Sequence, residues 1–214
     1  MTINTVIFDL DGTLLDTIED ITNSVNYVML ECGYYCKTTP EVQASIGNGI
    51  RKLMEKLLPE GSEKKTVDRC IELFKSHYAN GMNKETKPFY GVIDVLKDLK
   101  TRGFNVAVIS NKYDSAVKEL CNKYFGDLID IAMGQKDTIS EKPAPDMVFE
   151  VINQLGVKEE NCIYIGDSEV DIQTANNAGI PCLSVVWGYK DIDFLYDNGA
   201  STLVYTPSDI LELI

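Results

Sequence analysis

The 214-residue chain has one histidine and one tryptophan, and its acidic side chains far outnumber its basic ones. The single histidine, His77, lies far in sequence from every motif described below, which excludes a Ser-His-Asp or Cys-His hydrolase. A zinc site of the H-E-x-x-H type needs two histidines and is excluded as well. No P-loop signature is present, so a kinase of that type is also excluded.

Basic residues number 20 against 33 aspartates and glutamates, which gives a formal net charge of −13. A surface this acidic repels a phosphate backbone, so we expect no nucleic-acid partner. No apolar run approaches the roughly 20 residues that span a bilayer, and we expect neither a membrane partner nor a secretion signal. The six cysteines form no C-x-x-C pair, so we expect reduced thiols in a cytoplasmic protein.

Short apolar runs rich in β-branched residues alternate with helical patterns over most of the chain. Such runs are typical of strands covered on both faces, and the alternation predicts an open, parallel α/β sheet. The predicted strands are Asn4–Leu10, Asn105–Ser110, Asp130–Gly134, Cys162–Gly166, Cys182–Val186 and Thr202–Tyr205. The predicted helices between them are Val92–Arg102, Ser115–Tyr124, Asp146–Leu155 and Asp171–Ala178.

Residues 16–87 interrupt this alternation. Four segments there carry apolar residues at the intervals of a helix, namely Ile18–Cys32, Pro40–Ile46, Ile50–Leu58 and Glu63–Ala79. A helical block of about 70 residues is too long for a crossover connection. We therefore predict an inserted, all-helical domain at 16–87 and a discontinuous α/β core of 1–15 and 88–214. The net charge supports this division, since it is −1 for the insert and −12 for the remainder.

Candidate functional residues lie at or beyond the carboxyl ends of four predicted strands. They are Asp9, Asp11, Gly12 and Thr13 at the end of the first strand, Ser110 and Asn111 at the end of the second, Lys142 in the loop after the third, and Asp167 and Asp171 at the end of the fourth. Open α/β sheets place ligands at the carboxyl ends of their strands, so we expect these residues to share one edge. Each has a simpler role when taken alone, as a turn residue, helix cap or solvated lysine. Their joint occurrence at successive strand ends favours a shared functional site over these separate structural roles.

Paired carboxylates in this pattern point to phosphoryl chemistry. Asp9 and Asp167 are hard oxygen ligands of the kind that Mg²⁺ prefers, and crowded carboxylates need a cation among them. Ser110, Asn111 and Lys142 could donate hydrogen bonds to the other phosphoryl oxygens. A carboxylate can also act as the nucleophile. If the first strand continues, the residues at 9 and 11 lie on the same side, so that one attacks while the other moves a proton.

Four segments resemble the four motifs of the haloacid dehalogenase-like hydrolases in order and spacing. They are Asp9-Leu10-Asp11-Gly12-Thr13-Leu14, Ser110-Asn111-Lys112, Lys142-Pro143 and Gly166-Asp167-Ser168-Glu169-Val170-Asp171. The resemblance covers essentially the whole chain. It implies a Rossmann-like parallel sheet and a Mg²⁺-dependent reaction through an aspartyl-phosphate. An acidic residue at position 11 is similar to the phosphatase and mutase branches of the family.

The resemblance also implies a role for each motif residue. Asp9 would be the nucleophile and Asp11 the general acid and base, with Lys142 balancing charge. The implied metal ligands are Asp9, the backbone carbonyl of Asp11 and Asp167, with Asp171 supporting them. The implied phosphate-binding residues are Ser110, Asn111 and Lys142, together with Gly12 and Thr13.

The helical insert resembles the family's C1-type cap, which closes over the substrate. The nearest likeness within the family is to phosphoglycolate phosphatases, and it rests on Ile46-Gly47-Asn48-Gly49-Ile50-Arg51 and Trp187-Gly188-Tyr189. Gly47 and Asn48 could form only a turn between two helices. They could equally present backbone N–H groups, with Arg51, to the anionic end of a substrate.

These patterns predict a Mg²⁺-dependent phosphatase of a small phosphorylated metabolite, with 2-phosphoglycolate as the first candidate, in a monomer or weak homodimer. Alternatives on the same scaffold are a phosphomutase of the β-phosphoglucomutase type and a pyrophosphatase or nucleotidase. Two further alternatives are not enzymes: a phospho-acceptor domain of the receiver type and a binding module. The insert after the first strand and the acidic residue at position 11 count against a receiver. The intact motifs count against a binding module.

Overall fold

The computed structural model describes residues 2–81 and 84–214; Met1, Met82 and Asn83 lie outside the described residues. The chain forms two compact units, one of 1–15 with 88–214 and one of Asp16–Lys87. In the part of the chain that is described, no helix combines the length and apolarity needed to cross a bilayer.

The strands and helices alternate in the first unit, whereas helices dominate the second. In chain order the strands are β1 (Thr5–Phe8), β2 (Leu15–Asp16), β3 (Lys87–Pro88), β4 (Asn105–Tyr113), β5 (Ile131–Gln135), β6 (Cys162–Gly166), β7 (Cys182–Val185) and β8 (Leu203–Val204). The helices are α1 (Ile18–Glu31), α2 (Thr39–Gln43), α3 (Gly49–Leu57), α4 (Lys64–Gly81), α5 (Val92–Thr101), α6 (Asp114–Tyr124), α7 (Asp146–Leu155), α8 (Glu169–Ala178), α9 (Ile192–Asp197) and α10 (Ile210–Leu213).

A six-stranded parallel sheet forms the centre of the α/β unit, in the order β5-β4-β1-β6-β7-β8. All four residues of β1 are buried, as expected for a strand with neighbours on both sides and helices on both faces. Its last residue, Phe8, pairs with Val108 on β4 and Ile165 on β6. The predicted Rossmann-like α/β fold is confirmed. The chain reverses its direction across the sheet at β1, where such folds place ligands.

Two details of the α/β unit differ from the sequence prediction. β1 ends at Phe8, so the extended strand that would put positions 9 and 11 on one side is absent. β4 runs beyond the predicted end at Ser110 to Tyr113, with a register irregularity between Ile109 and Tyr113. A bulge of this kind lets the strand continue while it redirects the side chains that follow Ile109.

The second unit consists of α1 to α4. Its apolar side chains lie on one face of each helix, such as Val25 and Met29 on α1 and Ile71 and Phe74 on α4, and all four are buried. Among the buried polar residues of this unit, Asp20 carries a charge and is 2% exposed. Its carboxylate accepts hydrogen bonds from the Thr86 hydroxyl at 2.7 Å, the Thr86 amide at 2.9 Å and the Glu85 amide at 3.2 Å. This carboxylate therefore ties the end of the helical unit to its first helix.

We expect Asp20→Ala to destabilise the helical unit by about 3 kcal/mol, because it leaves the buried amide and hydroxyl of Thr86 without their acceptor. The measurement is urea unfolding followed by circular dichroism. Asn23→Ala on the exposed side of α1 is the matched control, and we expect a change within about 0.5 kcal/mol. Equal effects of the two substitutions would contradict the role given to Asp20.

Candidate active site

Asp9 is the first residue after β1 and lies at the carboxyl edge of the sheet. Its amide donates to the Ile165 carbonyl at 2.9 Å, so the ladder to β6 fixes its backbone. Its side chain is only 10% exposed, and Oδ1 accepts a hydrogen bond from the Lys142 ammonium at 2.6 Å. Asp9 is therefore a buried carboxylate that is held in one orientation by a buried cation.

Lys142 is the centre of the site. Besides Asp9, its ammonium contacts Asp171 Oδ1 at 2.8 Å and the Tyr164 hydroxyl at 3.0 Å. Burial works against the charge, but the carboxylates of Asp171 and Asp9 outweigh it and raise the pKa of Lys142 above its ordinary value. The lysine consequently stays protonated across the physiological range.

The side chain of Asn111 binds both the carbonyl and the amide of the Lys142 backbone. Its Nδ2 donates to the Lys142 carbonyl at 2.9 Å, and its Oδ1 accepts from the Lys142 amide at 2.8 Å. Asn111 thus positions the lysine backbone. The phosphoryl contact that the family resemblance implies for Asn111 would use the second N–H of its side-chain amide and stays a prediction.

Asp171 lies in the first turn of α8 and orients the lysine from the other side. Its Oδ2 accepts from the Ser168 hydroxyl at 2.6 Å and the Ser168 amide at 3.1 Å, which is a capping arrangement at the start of the helix. Its Oδ1 accepts from Lys142 and, at 2.9 Å, from the Tyr164 hydroxyl. Four hydrogen bonds fix this carboxylate.

Asp167 completes a group of three buried carboxylates. Its Oδ2 accepts from the Tyr189 amide at 2.7 Å, and its Oδ1 accepts from the Thr13 hydroxyl at 3.3 Å. One oxygen each from Asp9, Asp167 and Asp171 lies within 4.8 Å of the others. Their donor chemistry, three hard oxygen ligands in one buried place, suits a divalent metal ion.

The three carboxylates and Lys142 together carry more negative than positive charge. Burial, followed by the neighbouring carboxylates of Asp171 and Asp9, raises the pKa of Asp167 well above its ordinary value. Burial also raises the pKa of Asp9 to about 7, against the opposing effect of Lys142. One lysine does not neutralise three carboxylates, so the site favours a further cation.

Asp11 and Ser110 lie at the same edge of the sheet. Both Asp11 carboxylate oxygens accept from the Lys112 ammonium at 2.9 Å, and both side chains of this ion pair are largely buried. The Ser110 hydroxyl accepts from the Lys112 amide at 3.2 Å and is also buried. The residues predicted to follow β1, β4 and β6 therefore do lie at one edge, together with Lys142.

The remaining candidates, Gly47, Asn48 and Arg51, lie in the helical unit at the start of α3. Gly47 has a φ of 113°, which favours glycine, and Asn48 is the residue that precedes the helix. Arg51 forms an ion pair with Asp68 at 2.6 Å, and both side chains are about half exposed. Within its own unit this arginine is therefore already paired.

Sequence reasoning missed four contributors to the site. Ser168 and Tyr189 orient carboxylates, Tyr164 contacts both Lys142 and Asp171, and Lys112 pairs with Asp11. A signal existed for each of them. Ser168 and Tyr189 lie inside segments that resemble the family's motifs. Tyr164 is the only polar side chain in the buried strand β6 apart from the thiol of Cys162, and Lys112 directly follows the Ser110-Asn111 pair.

Two glycines make room for Asp167. A Cβ at Gly12, where φ is +90°, or at Gly188 would lie within 3.0 Å of the Asp167 side chain. At Gly188 the Cβ would also crowd the Gly12 carbonyl. The backbone therefore closes around this carboxylate from two loops.

We expect Gly188→Ala to destabilise the α/β unit by about 1–3 kcal/mol, because the added methyl group overlaps Asp167 and backbone atoms. Thermal unfolding measures this change. Gly81→Ala is the control, since its Cβ would meet no atom closer than the His77 ring at 4.0 Å and a helix favours alanine. An unchanged unfolding temperature for Gly188→Ala would show that the loop relaxes freely.

Comparison with known proteins places this arrangement in a family. Residues 6–185 match the haloacid dehalogenase-like hydrolases. The phosphoglycolate phosphatase of Aquifex aeolicus is 30% identical over 98% of this chain and 95% of its own length. Phosphoglycolate phosphatase 1 of Pseudomonas aeruginosa is 31% identical over 86% of this chain and 70% of its own.

Solved structures agree with the sequence relatives. A crystal structure from Lactobacillus delbrueckii subsp. bulgaricus, provisionally named a phosphoglycolate phosphatase, has a TM-score of 0.95 and 35% identity, covering 100% of this chain and 99% of its own. The family match spans most of the chain, and the predicted membership is confirmed. The chain belongs to the haloacid dehalogenase-like hydrolases.

Proposed function

We propose that the protein is a Mg²⁺-dependent phosphatase that hydrolyses a small phosphorylated metabolite through an aspartyl-phosphate on Asp9. The observation that carries this proposal is the Lys142–Asp9 contact of 2.6 Å inside a buried carboxylate group at the edge of the sheet. The first candidate substrate is 2-phosphoglycolate, because the relatives from Aquifex and Pseudomonas are named for it.

In the first half-reaction, a carboxylate oxygen of Asp9 attacks the phosphorus atom. The bond from phosphorus to the leaving oxygen breaks. Asp11 enters this step protonated, with one oxygen released from Lys112, and gives its proton to the leaving oxygen. Lys142 and the Ser110 hydroxyl donate hydrogen bonds to the phosphoryl oxygens, where negative charge develops. Asn111 contributes by holding the Lys142 backbone in place.

In the second half-reaction, Asp11 takes a proton from a water molecule as that water attacks the phosphorus atom. The bond between phosphorus and the Asp9 oxygen breaks, which releases inorganic phosphate and restores the carboxylate. Lys112, at 2.9 Å, keeps Asp11 oriented in the free enzyme. Asp11 thus acts as the acid in the first step, and the carboxylate left by that step acts as the base in the second.

Asp9 and Asp167 would hold the metal ion, with the backbone carbonyl of Asp11 as a further ligand and Asp171 in support. Bound Mg²⁺ supplies positive charge that screens the attacking carboxylate from the anionic substrate. The buried oxygen donors fit such an ion, because their raised pKa values show that the site without it disfavours their charge.

Substrate selection belongs, in this proposal, to the helical unit as a cap. Gly47 and Asn48 would present backbone N–H groups, and Arg51 would bind the non-reacting anionic end of the substrate. The Arg51–Asp68 pair is half exposed and therefore weak, so a substrate carboxylate can compete with Asp68 for the guanidinium.

We also propose that the protein works in the cytoplasm as a monomer or weak homodimer. The six cysteines, which are all free thiols, support the cytoplasmic location, because a reducing compartment keeps thiols in this state.

Phosphate release from a substrate panel tests the function. The panel holds 2-phosphoglycolate, pyrophosphate, nucleotides, sugar phosphates and an aryl phosphate, each with Mg²⁺. We expect one strongly preferred substrate and a loss of at least about 10³-fold in kcat for Asp9→Asn. Asp127→Asn, an exposed position on the same unit, is the control and retains activity. Full activity of Asp9→Asn would contradict the proposed mechanism. No phosphate release by the wild type from any member of the panel would contradict the proposed function.

The metal proposal predicts a pH dependence of Mg²⁺ binding. The Asp9 carboxyl, with its pKa raised to about 7, is largely protonated below that pH and must lose its proton before it binds the ion. Mg²⁺ affinity should therefore rise from about pH 6 to about pH 8, with proton release on binding. Calorimetry in buffers of different ionisation enthalpy measures both quantities.

Asp9→Asn should release fewer protons on Mg²⁺ binding, whereas Asp127→Asn should match the wild type. Removal of the metal with EDTA should abolish turnover, and Mg²⁺ should restore it. An affinity that does not change with pH would contradict the assignment of Asp9 as a ligand.

A further inference from the structure

Two thiols meet inside the helical unit. The Sγ atoms of Cys32 and Cys70 are 3.4 Å apart, although the residues are separated by 38 positions in the sequence. Cys32 directly follows α1, and its amide donates to the Val28 carbonyl at 3.0 Å, so its backbone is fixed to the helix. Cys70 lies inside α4 and is fully buried.

The geometry of this pair is close to that of a disulfide. A bonded pair of sulfur atoms is about 2.05 Å apart, and side-chain rotation can supply the remaining approach. Both backbones lie in or directly beside a helix, so the two residues stay adjacent. The neighbouring Cys36 is exposed, and the other three cysteines belong to the α/β unit.

We propose that Cys32 and Cys70 form a site of oxidative modification. A hydroperoxide would oxidise the two thiols to a reversible disulfide, which joins the end of α1 to α4. In the first step the Cys32 sulfur attacks a peroxide oxygen and the O–O bond breaks. Cys32 becomes a sulfenic acid, and the peroxide is reduced to water or an alcohol.

In the second step the Cys70 sulfur attacks the Cys32 sulfur and the S–O bond breaks. The departing hydroxide takes the Cys70 proton and leaves as water. Two thiols are thus oxidised by one peroxide. A dithiol reductant reverses the change. This inference does not depend on the proposed catalytic reaction.

The two cysteines have different roles because their surroundings differ. Cys32 is partly exposed, so a small oxidant can reach it. Burial, together with the contact to Cys32, raises the pKa of the Cys70 thiol to about 12. The buried thiol is a poor nucleophile at neutral pH and is shielded from a free oxidant, but its sulfur lies 3.4 Å from the Cys32 sulfur, so its attack on a sulfenic acid there is intramolecular. Cys70 therefore suits the resolving role.

A disulfide here would close a long loop in the unfolded chain and so stabilise the helical unit. We expect oxidation to raise its unfolding temperature by about 3 °C or more. The effect should vanish after reduction with dithiothreitol.

The experiment treats the full chain with hydrogen peroxide, denatures it and counts free thiols. We expect the count to fall from the six of the sequence by two, with a mass loss of two hydrogens and a Cys32–Cys70 cross-linked peptide. Cys36→Ser is the matched control, and it should form the same cross-link. Cys32→Ser should form none, and its partly exposed position lets the variant fold; Cys70→Ser provides a second test.

Three outcomes would overturn the proposal. One is a cross-link that joins Cys36 in place of Cys70. Another is an unchanged thiol count at peroxide concentrations that oxidise a reference dithiol protein. The third is oxygen addition at Cys32 without a cross-link, which would show that the buried thiol does not resolve the sulfenic acid.

Discussion

The Lys142 ammonium is the cation on which the catalytic edge depends. It lies between Asp9 and Asp171, at 2.6 and 2.8 Å, where burial would otherwise leave two negative charges uncompensated. Its position requires Asn111 on its backbone and Tyr164 beside its ammonium. The lysine thus links several strands, because Asp9 after β1, Asn111 in β4 and Tyr164 in β6 all contact it.

The same arrangement explains why the site suits a metal ion. A lysine can neutralise one carboxylate of the three. Burial first, and the neighbouring carboxylates after it, raise the pKa values of Asp9 and Asp167. Chemistry on an anionic phosphate ester would make that imbalance worse, since it brings further negative charge to the attacking oxygen. A site built from buried carboxylates can therefore act on phosphate only when cations outweigh its own charge.

The sequence allowed the fold class and the family to be predicted, because strand ends and motif order depend on local pattern. The apolar runs before Asp9 and Asp167 clearly predict strands, and a parallel sheet brings the carboxyl ends of its strands to one edge. Partner choice could not be predicted in the same way. Asn111 binds the Lys142 backbone from the stretch of β4 where the register to β5 shifts, and no sequence pattern predicts that shift. The short helices α9 and α10 were missed because six and four residues are too few for a periodic signal.

The two units put their buried polar groups to different uses. In the helical unit the Asp20 carboxylate is satisfied by backbone and hydroxyl donors close at hand, so its burial serves structure. In the α/β unit the Asp167 carboxylate accepts hydrogen bonds from the Tyr189 amide and, at a longer distance, from the Thr13 hydroxyl, inside a space that Gly12 and Gly188 leave for it. A protein that needed only stability would fill that space with apolar side chains. The glycines therefore preserve a costly, under-neutralised carboxylate, and such a feature is expected where charge is required for function.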